Sequence, residues 1–141
     1  MRKHQGFTLI ELVVVVMILG ILAAVAAPKL LGTSSTAADN GLKETLGVVR
    51  DAIERFTAEK GGALPGQAGT EAGLKTDLAP YLRTFPKSPL TNTSTIVVDT
   101  APGPMTPGGG QAWRYNKADG GFICNSGAGT KSDQSVTYDS L

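Results

Sequence analysis

One stretch decides the fold: residues 7–27, FTLIELVVVVMILGILAAVAA. It holds 21 residues and a single charged side chain, Glu11. As an α-helix it would be about 30 Å long, which is enough to cross a lipid bilayer. Arg2 and Lys3 precede it, and basic residues before a membrane helix stay in the cytoplasm. The sequence therefore predicts a single membrane-length helix, with the chain after Pro28 on the far side of the membrane.

Glu11 is the residue of this stretch that needs an explanation. A carboxylate at the centre of a membrane helix costs about 2.5–3.5 kcal/mol on insertion scales. An ordinary signal peptide has a shorter apolar run that ends in a polar cleavage region. A plain signal anchor is the other simple interpretation, but it leaves both Glu11 and the Gly6-Phe7 junction unexplained.

The segment Gly6-Phe7-Thr8-Leu9-Ile10-Glu11-Leu12 resembles the leader junction of type IV pilins and of type II secretion pseudopilins. The short basic leader and Pro28 at the end of the apolar run match as well. The resemblance implies that a prepilin peptidase cuts between Gly6 and Phe7 and methylates the new amine of Phe7. It also implies that Glu11 pairs with that amine on a neighbouring subunit when filaments assemble, because a buried carboxylate needs a partner. The alternative is a carboxyl group near the membrane interface that is protonated by desolvation.

Composition argues against several classes of function. The only histidine, His4, lies in the predicted leader, so the mature chain lacks the imidazole of Ser-His-Asp and Cys-His catalysis and of histidine metal sites. We therefore predict a chain that is not an enzyme. Cys124 is the only cysteine, so no intramolecular disulfide can form. The net charge of +1 gives no indication of nucleic-acid binding.

The apolar stretch is predicted to continue into a second, amphipathic helical segment. Leu42, Leu46, Val49, Ile53 and Phe56 recur at steps of three and four, which places them on one helix face. Pro28 is then a kink within one long helix rather than its end, and Gly61-Gly62 is the stop signal. Arg50 is predicted to pair with Glu54 at i,i+4.

These signals divide the chain into four predicted parts. Residues 1–6 form a cleaved leader, residues 7–27 the transmembrane and filament-core half of the long helix, and residues 28–60 its amphipathic half. Residues 61–141 form a globular head.

The head is predicted to hold a short helix and a small antiparallel β-sheet. Residues 74–78 suit the short helix, and residues 95–98 and 136–138 suit strands. Residues 112–116 and 122–125 flank a glycine-containing turn and predict a hairpin with Trp113 and Tyr115 on one face. This Trp-x-Tyr-Asn hairpin and the Tyr-Leu…Pro-x-x-Pro segment at 81–89 resemble those of major pseudopilins. The predicted fold class is α+β and pilin-like, with Tyr81 and Phe85 packed as part of the core.

Major pseudopilins commonly hold calcium in a C-terminal loop, through aspartates and backbone oxygens. Here that loop offers Asp133 as its carboxylate, with Asp139 farther along the chain. Calcium prefers six to eight oxygen ligands, usually with several carboxylates. We therefore keep a Ca²⁺ site near Asp133 and a plain solvated loop as alternatives, and predict no firm cofactor or metal.

The predicted function is that of a structural filament subunit, most like the major pseudopilin of a type II secretion system that supports protein export. A type IV pilus subunit for adhesion, motility or DNA uptake is the near alternative, and a membrane-anchored extracytoplasmic binding module the distant one. The implied partners are further copies of the chain, the prepilin peptidase, an inner-membrane assembly platform, minor pilins or pseudopilins, and membrane lipid before assembly. The implied location is the bacterial inner membrane with the head in the periplasm, and then a periplasmic or surface filament.

Overall fold

A long helix followed by a small sheet makes up the fold. The computed structural model describes residues 7–108 and 110–141, with the backbone alone at 29–32. Helix α1 is Leu9–Glu59 and helix α2 is Glu71–Leu78. The strands are β1 (Ile96–Asp99), β2 (Trp113–Asn116) and β3 (Phe122–Cys124), and a 3₁₀ turn follows at Tyr138–Ser140. This is the predicted α+β arrangement.

Helix α1 runs through Pro28, as predicted, and ends at the predicted stop. Gly61 and Gly62 both have positive φ, 65° and 96°. The Gly62 N–H donates to the Thr57 carbonyl at 2.8 Å, a bond that closes the last helical turn. The chain divides into two compact units, one up to Ser35 and the other Thr36–Leu141. We call the second of these the C-terminal unit.

The predicted helical stripe forms one wall of the core of the C-terminal unit. Leu42, Leu46, Val49 and Ile53 are all at most 4% exposed, and Phe56 packs against the same cluster at its edge. Most of the remaining core residues come from α2 and the segment after it, from the sheet and from the 3₁₀ turn. They include Leu74, Leu78, Leu82, Ile96, Trp113, Tyr115, Phe122 and Tyr138.

The aromatic residues of the segment after α2 join this core, as predicted. Tyr81 meets Phe56 edge to face, with ring centroids 6.2 Å apart. Phe85 meets Phe122 at the same distance. Such pairs add to the stabilisation from burial itself. The segment thus ties α1 to the sheet.

The hairpin is confirmed, but the prediction of an antiparallel sheet is wrong in part. Strands β2 and β3 pair antiparallel with Tyr115 opposite Phe122, whereas β1 pairs parallel with β2, Ile96 opposite Trp113. A parallel pair needs a long crossover connection, and the loop at residues 100–112 supplies it. The expected last strand is also absent from the described residues: Thr137 makes only an isolated bridge to Gly129 and then enters the 3₁₀ turn.

Candidate functional site: the apolar surface of the first helix

The start of α1 is held by a reciprocal pair of side chains. The Thr8 N–H donates to Glu11 Oε2 at 2.8 Å, and the Thr8 hydroxyl donates to the same oxygen at 2.6 Å. The Glu11 N–H in turn approaches Thr8 Oγ1 at 3.3 Å. This is a capping box, in which two otherwise unpaired N–H groups at the helix start are satisfied. Thr8 was missed by the sequence analysis, although Thr-x-x-Glu before an apolar run is its signature.

Large apolar side chains surround the helix beyond this cap and stay exposed. Their exposure ranges from 41% at Val13 to 83% at Phe7. We call this set the apolar surface: Phe7, Leu9, Ile10, Leu12, Val13, Val14, Val15, Val16, Met17, Ile18, Leu19, Ile21, Leu22 and Val25. A water-soluble monomer rarely exposes so large a continuous apolar patch. By length and composition the helix can cross a membrane, a test that signal sequences near an N-terminus also pass.

Glu11 lies within this surface and remains exposed. A shallow depression beside it is lined by Phe7, Ile10, Val14 and Val15. The carboxylate therefore lies beside apolar side chains, and the hydrogen bonds that it accepts here come from Thr8. Among the described residues its second oxygen accepts no hydrogen bond, so a partner of opposite charge can bind there.

Gly6, Phe7 and Pro28 are the other residues predicted to be functional in this region. Phe7 is described, but Gly6 and the rest of the leader lie outside the described residues. Pro28 lies inside α1. Since proline has no N–H, the Ala24 carbonyl lacks its usual helical donor at this point. A kink at Pro28 stays a prediction.

Two charged residues of α1 make hydrogen bonds that the sequence did not indicate. Asp39 is only 3% exposed and binds the chain near residue 132. Arg50 donates to the Phe122 carbonyl and to the Leu141 main-chain oxygen, so the predicted pairing with Glu54 is wrong. Both contacts join residues more than 70 positions apart, which no local pattern signals.

The C-terminal loop does not provide the ligands that calcium needs. Asp133 Oδ1 already accepts bonds from the Ser135 N–H at 2.9 Å and the Ser135 hydroxyl at 2.6 Å. The Asp133 carbonyl accepts from the Thr130 hydroxyl. Across residues 7–108 and 110–141 no group of three or more His, Cys, Asp or Glu side chains is placed to hold a metal ion. A Ca²⁺ site near Asp133 does not fit these residues.

The surroundings of Cys124 indicate a structural role. It is 1% exposed, and burial raises the pKa of its thiol to about 11. A thiol that stays protonated at neutral pH is a poor nucleophile and a poor metal ligand. The side chain therefore packs as part of the core on β3.

Comparison with known proteins identifies a motif in the N-terminal segment and several relatives of the chain. Residues 1–27 match the family model of the prokaryotic N-terminal methylation motif. The chain is 32% identical to type II secretion system core protein G of Vibrio cholerae, over 65% of this chain and 69% of that protein. It is 28% identical to the core protein G of Klebsiella pneumoniae, over 62% of this chain and 63% of that protein. It is also 43% identical to the fimbrial protein EcpB of Eikenella corrodens, over 43% of this chain and 38% of that protein. No solved structure matches the chain.

Proposed function

Since this chain belongs to the family of type II secretion system core protein G, we propose that it is the major subunit of a secretion pseudopilus. The subunit enters the inner membrane as a precursor, is processed, and polymerises. The filament supports protein export. Its role is structural, and no chemical reaction is assigned to it.

The apolar surface is the observation that carries this proposal. Within the described residues each of its side chains stays at least 41% exposed. At about 25 cal/mol per Å² of apolar area, leaving this surface in water would be costly. Lipid covers it before assembly, and the same residues of neighbouring copies cover it afterwards. One surface thus serves both as a membrane anchor and as a filament core.

Glu11 is proposed as the residue that aligns neighbouring subunits. In a dry bundle of helices its charge needs an opposite charge nearby. Cleavage after Gly6 creates one, the amine of Phe7, at the same end of the helix. The bonds from Thr8 offer a competing explanation, in which Glu11 serves only to cap its own helix.

Two matched variants separate these explanations. Glu11→Gln keeps the shape and the ability to accept a bond from the Thr8 N–H but removes the charge. Thr8→Val removes the capping hydroxyl and keeps the charge. If Glu11 pairs between subunits, Glu11→Gln abolishes sheared filaments while Thr8→Val retains them, and both precursors are still processed. Filaments retained by Glu11→Gln and lost in Thr8→Val would show that helix capping is the role of Glu11.

Processing is proposed at the bond between Gly6 and Phe7. Mass spectrometry of the subunit purified from membranes should find a mature N-terminus at Phe7 carrying one methyl group. Gly6→Leu should leave the leader in place, with Gly20→Leu as a control for a bulky residue in the same helix. A mature N-terminus at any other residue contradicts the proposed site.

The remaining partners and the location follow from this proposal. The prepilin peptidase and an assembly platform act at the inner membrane, minor pseudopilins join the filament, and the C-terminal unit lies in the periplasm. Attachment of a periplasm-active reporter after Leu141 tests the orientation. An inactive reporter on a fusion protein that accumulates normally would overturn it.

A type IV pilus subunit is the second candidate, favoured by the similarity to EcpB. That alignment covers a smaller share of both proteins than the alignments to core protein G. Deletion of the gene in the native host decides between them. Loss of exported proteins from the medium supports the pseudopilus, and loss of surface filaments with normal export supports the pilus.

A further inference from the structure

The C-terminal loop, residues 126–137, closes around a carboxylate of the long helix. The Ser132 N–H donates to Asp39 Oδ2 at 2.7 Å, and the Lys131 N–H donates to Oδ1 at 3.3 Å. The Tyr138 hydroxyl donates to Oδ1 at 3.2 Å. Three donors from the end of the chain thus converge on one buried side chain, which is 3% exposed.

Several carbonyl oxygens of the loop already accept hydrogen bonds from donors in the same segment. The Thr130 N–H donates to the Val136 carbonyl at 2.8 Å, and the Tyr138 N–H donates to the Ala128 carbonyl at 3.0 Å. The Asp133 carbonyl accepts from Thr130, as described above. A calcium site needs such oxygens to point inward, free of donors. These three carbonyls are paired here, while the N–H groups of Lys131 and Ser132 point to Asp39.

The two arms of the loop approach each other closely at Gly129. A Cβ atom added at Gly129 would come within 2.6 Å of the Gln134 carbonyl oxygen and 2.9 Å of its Cα. These are backbone atoms that cannot move aside independently. The two arms of the loop are therefore packed backbone to backbone at this point.

We propose that the carboxylate of Asp39 takes the place of a calcium ion in this chain, and that the C-terminal unit folds without calcium. A buried anion that accepts several main-chain N–H bonds can organise a loop as a cation organises one through carbonyl oxygens. The hydrogen bond from Ser132 holds the pKa of Asp39 below its usual range, so the anion persists at neutral pH. The proposal does not depend on which machine uses the filament.

Asp139 offers a buried competing ligand atom. Its Oδ1 is buried without a hydrogen-bond partner among the described residues. A single oxygen falls far short of the six to eight that calcium prefers. It nevertheless defines the test, because any calcium response of this chain should pass through Asp139 rather than Asp39.

The experiment uses the full chain in detergent and measures its melting temperature from the fluorescence of Trp113. The proposal expects the same melting temperature in EGTA and in calcium at about 5 mM, above the weak extracellular range of affinities. A calcium-dependent rise that Asp139→Asn abolishes would overturn it.

Variants at Asp39 give the second half of the test. Asp39→Asn should lower the melting temperature and speed hydrogen exchange of the Ser132 amide by about tenfold or more. The exposed Asp51, changed to Asn on the same helix, should alter neither. If Asp39→Asn does not fold, Tyr138→Phe removes one donor and keeps the ring, and the same acceleration is expected at a smaller size. Unchanged exchange at Ser132 in a folded Asp39 or Tyr138 variant refutes the anion-centred loop.

Discussion

Arg50→Met should destabilise the C-terminal unit strongly, although it changes a half-buried residue on a helix surface. Arg50 Nε and Nη2 donate to the Phe122 carbonyl at 3.1 and 2.9 Å, and Nη1 donates to the Leu141 oxygen at 2.9 Å. Methionine keeps most of the apolar stem and removes every donor. The change therefore isolates the hydrogen bonds from the packing.

The position of Phe122 in the sheet explains why the hydrogen bonds from Arg50 are important for stability. Strand β3 lies at the edge of the sheet. Hydrogen-bonded pairs alternate along an antiparallel ladder. Because the Asn116 N–H donates to the Gly121 carbonyl, the Phe122 carbonyl points away from β2. Arg50 is thus the donor that pairs with the Phe122 carbonyl on the open edge of the sheet.

The expected loss follows from two acceptors. At about 1–1.5 kcal/mol for each carbonyl in a half-buried setting, Arg50→Met costs about 2–3 kcal/mol. At about 4 °C per kcal/mol for a unit near 100 residues, the melting temperature falls by about 8–12 °C. Trp113 is the only tryptophan of the chain and lies 5.4 Å from the Phe122 ring, so its fluorescence reports the loss directly.

The matched control is Arg55→Met. Arg55 lies on the same helix, is exposed, and makes no hydrogen bond or ion pair within the described part of the chain. Its replacement should move the melting temperature by no more than about 2 °C, as surface changes do. Arg50→Lys should recover part of the loss, since one ammonium group can reach one carbonyl but not both. Equal effects of Arg50→Met and Arg55→Met would refute the reasoning.

Three further predictions concern single residues. Burial and the raised pKa of the Cys124 thiol, about 11, should prevent alkylation by iodoacetamide at pH 8 until the chain is unfolded; labelling of the native protein, followed by mass spectrometry, would contradict this. Gly120→Ala should destabilise the hairpin by about 1–2 kcal/mol because its φ is 79°, whereas Gly41→Ala, inside α1 with open space around it, should stabilise by about 0.5–1 kcal/mol; thermal melts that rank the two variants the other way would refute the assignment. The pKa of Asp39 is lowered in the folded state, so its stabilising contribution is complete above its unfolded pKa of about 3.9 and is lost as pH falls further; melting curves between pH 7 and 3 should show a smaller acid loss for Asp39→Asn than for the unchanged chain.

The sequence predicted the elements whose signals are local. The stripe from Leu42 to Ile53 and the alternation of Trp113 with Tyr115 depend only on helical and strand periods. Both are buried as expected. The capping box at Thr8 and Glu11 is an equally local pattern and could have been predicted from the sequence.

The direction of strand β1 and the long-range polar contacts could not be predicted from local sequence patterns. Whether β1 runs parallel to β2 depends on the course of residues 100–112, a loop rich in proline and glycine with no periodic signal. Asp39 and Arg50 look in sequence like ordinary charges on the exposed side of an amphipathic helix. Their true partners lie 72 to 99 residues away, and only the closed fold brings them together.

The Asp39 contact has a consequence for synthesis of the chain. Its donor at Lys131 follows 92 residues later, which at about 5–20 residues per second is a delay of about 5–18 s. For the last 72 residues of that interval, from Glu59 to Lys131, the helix is complete, while the loop residues that bind its carboxylate have not been made. A nascent chain with its apolar core stripe uncovered is prone to aggregation and proteolysis. Ribosomes that stall before codon 131 would yield products that cannot complete this contact, and such products are natural targets for degradation.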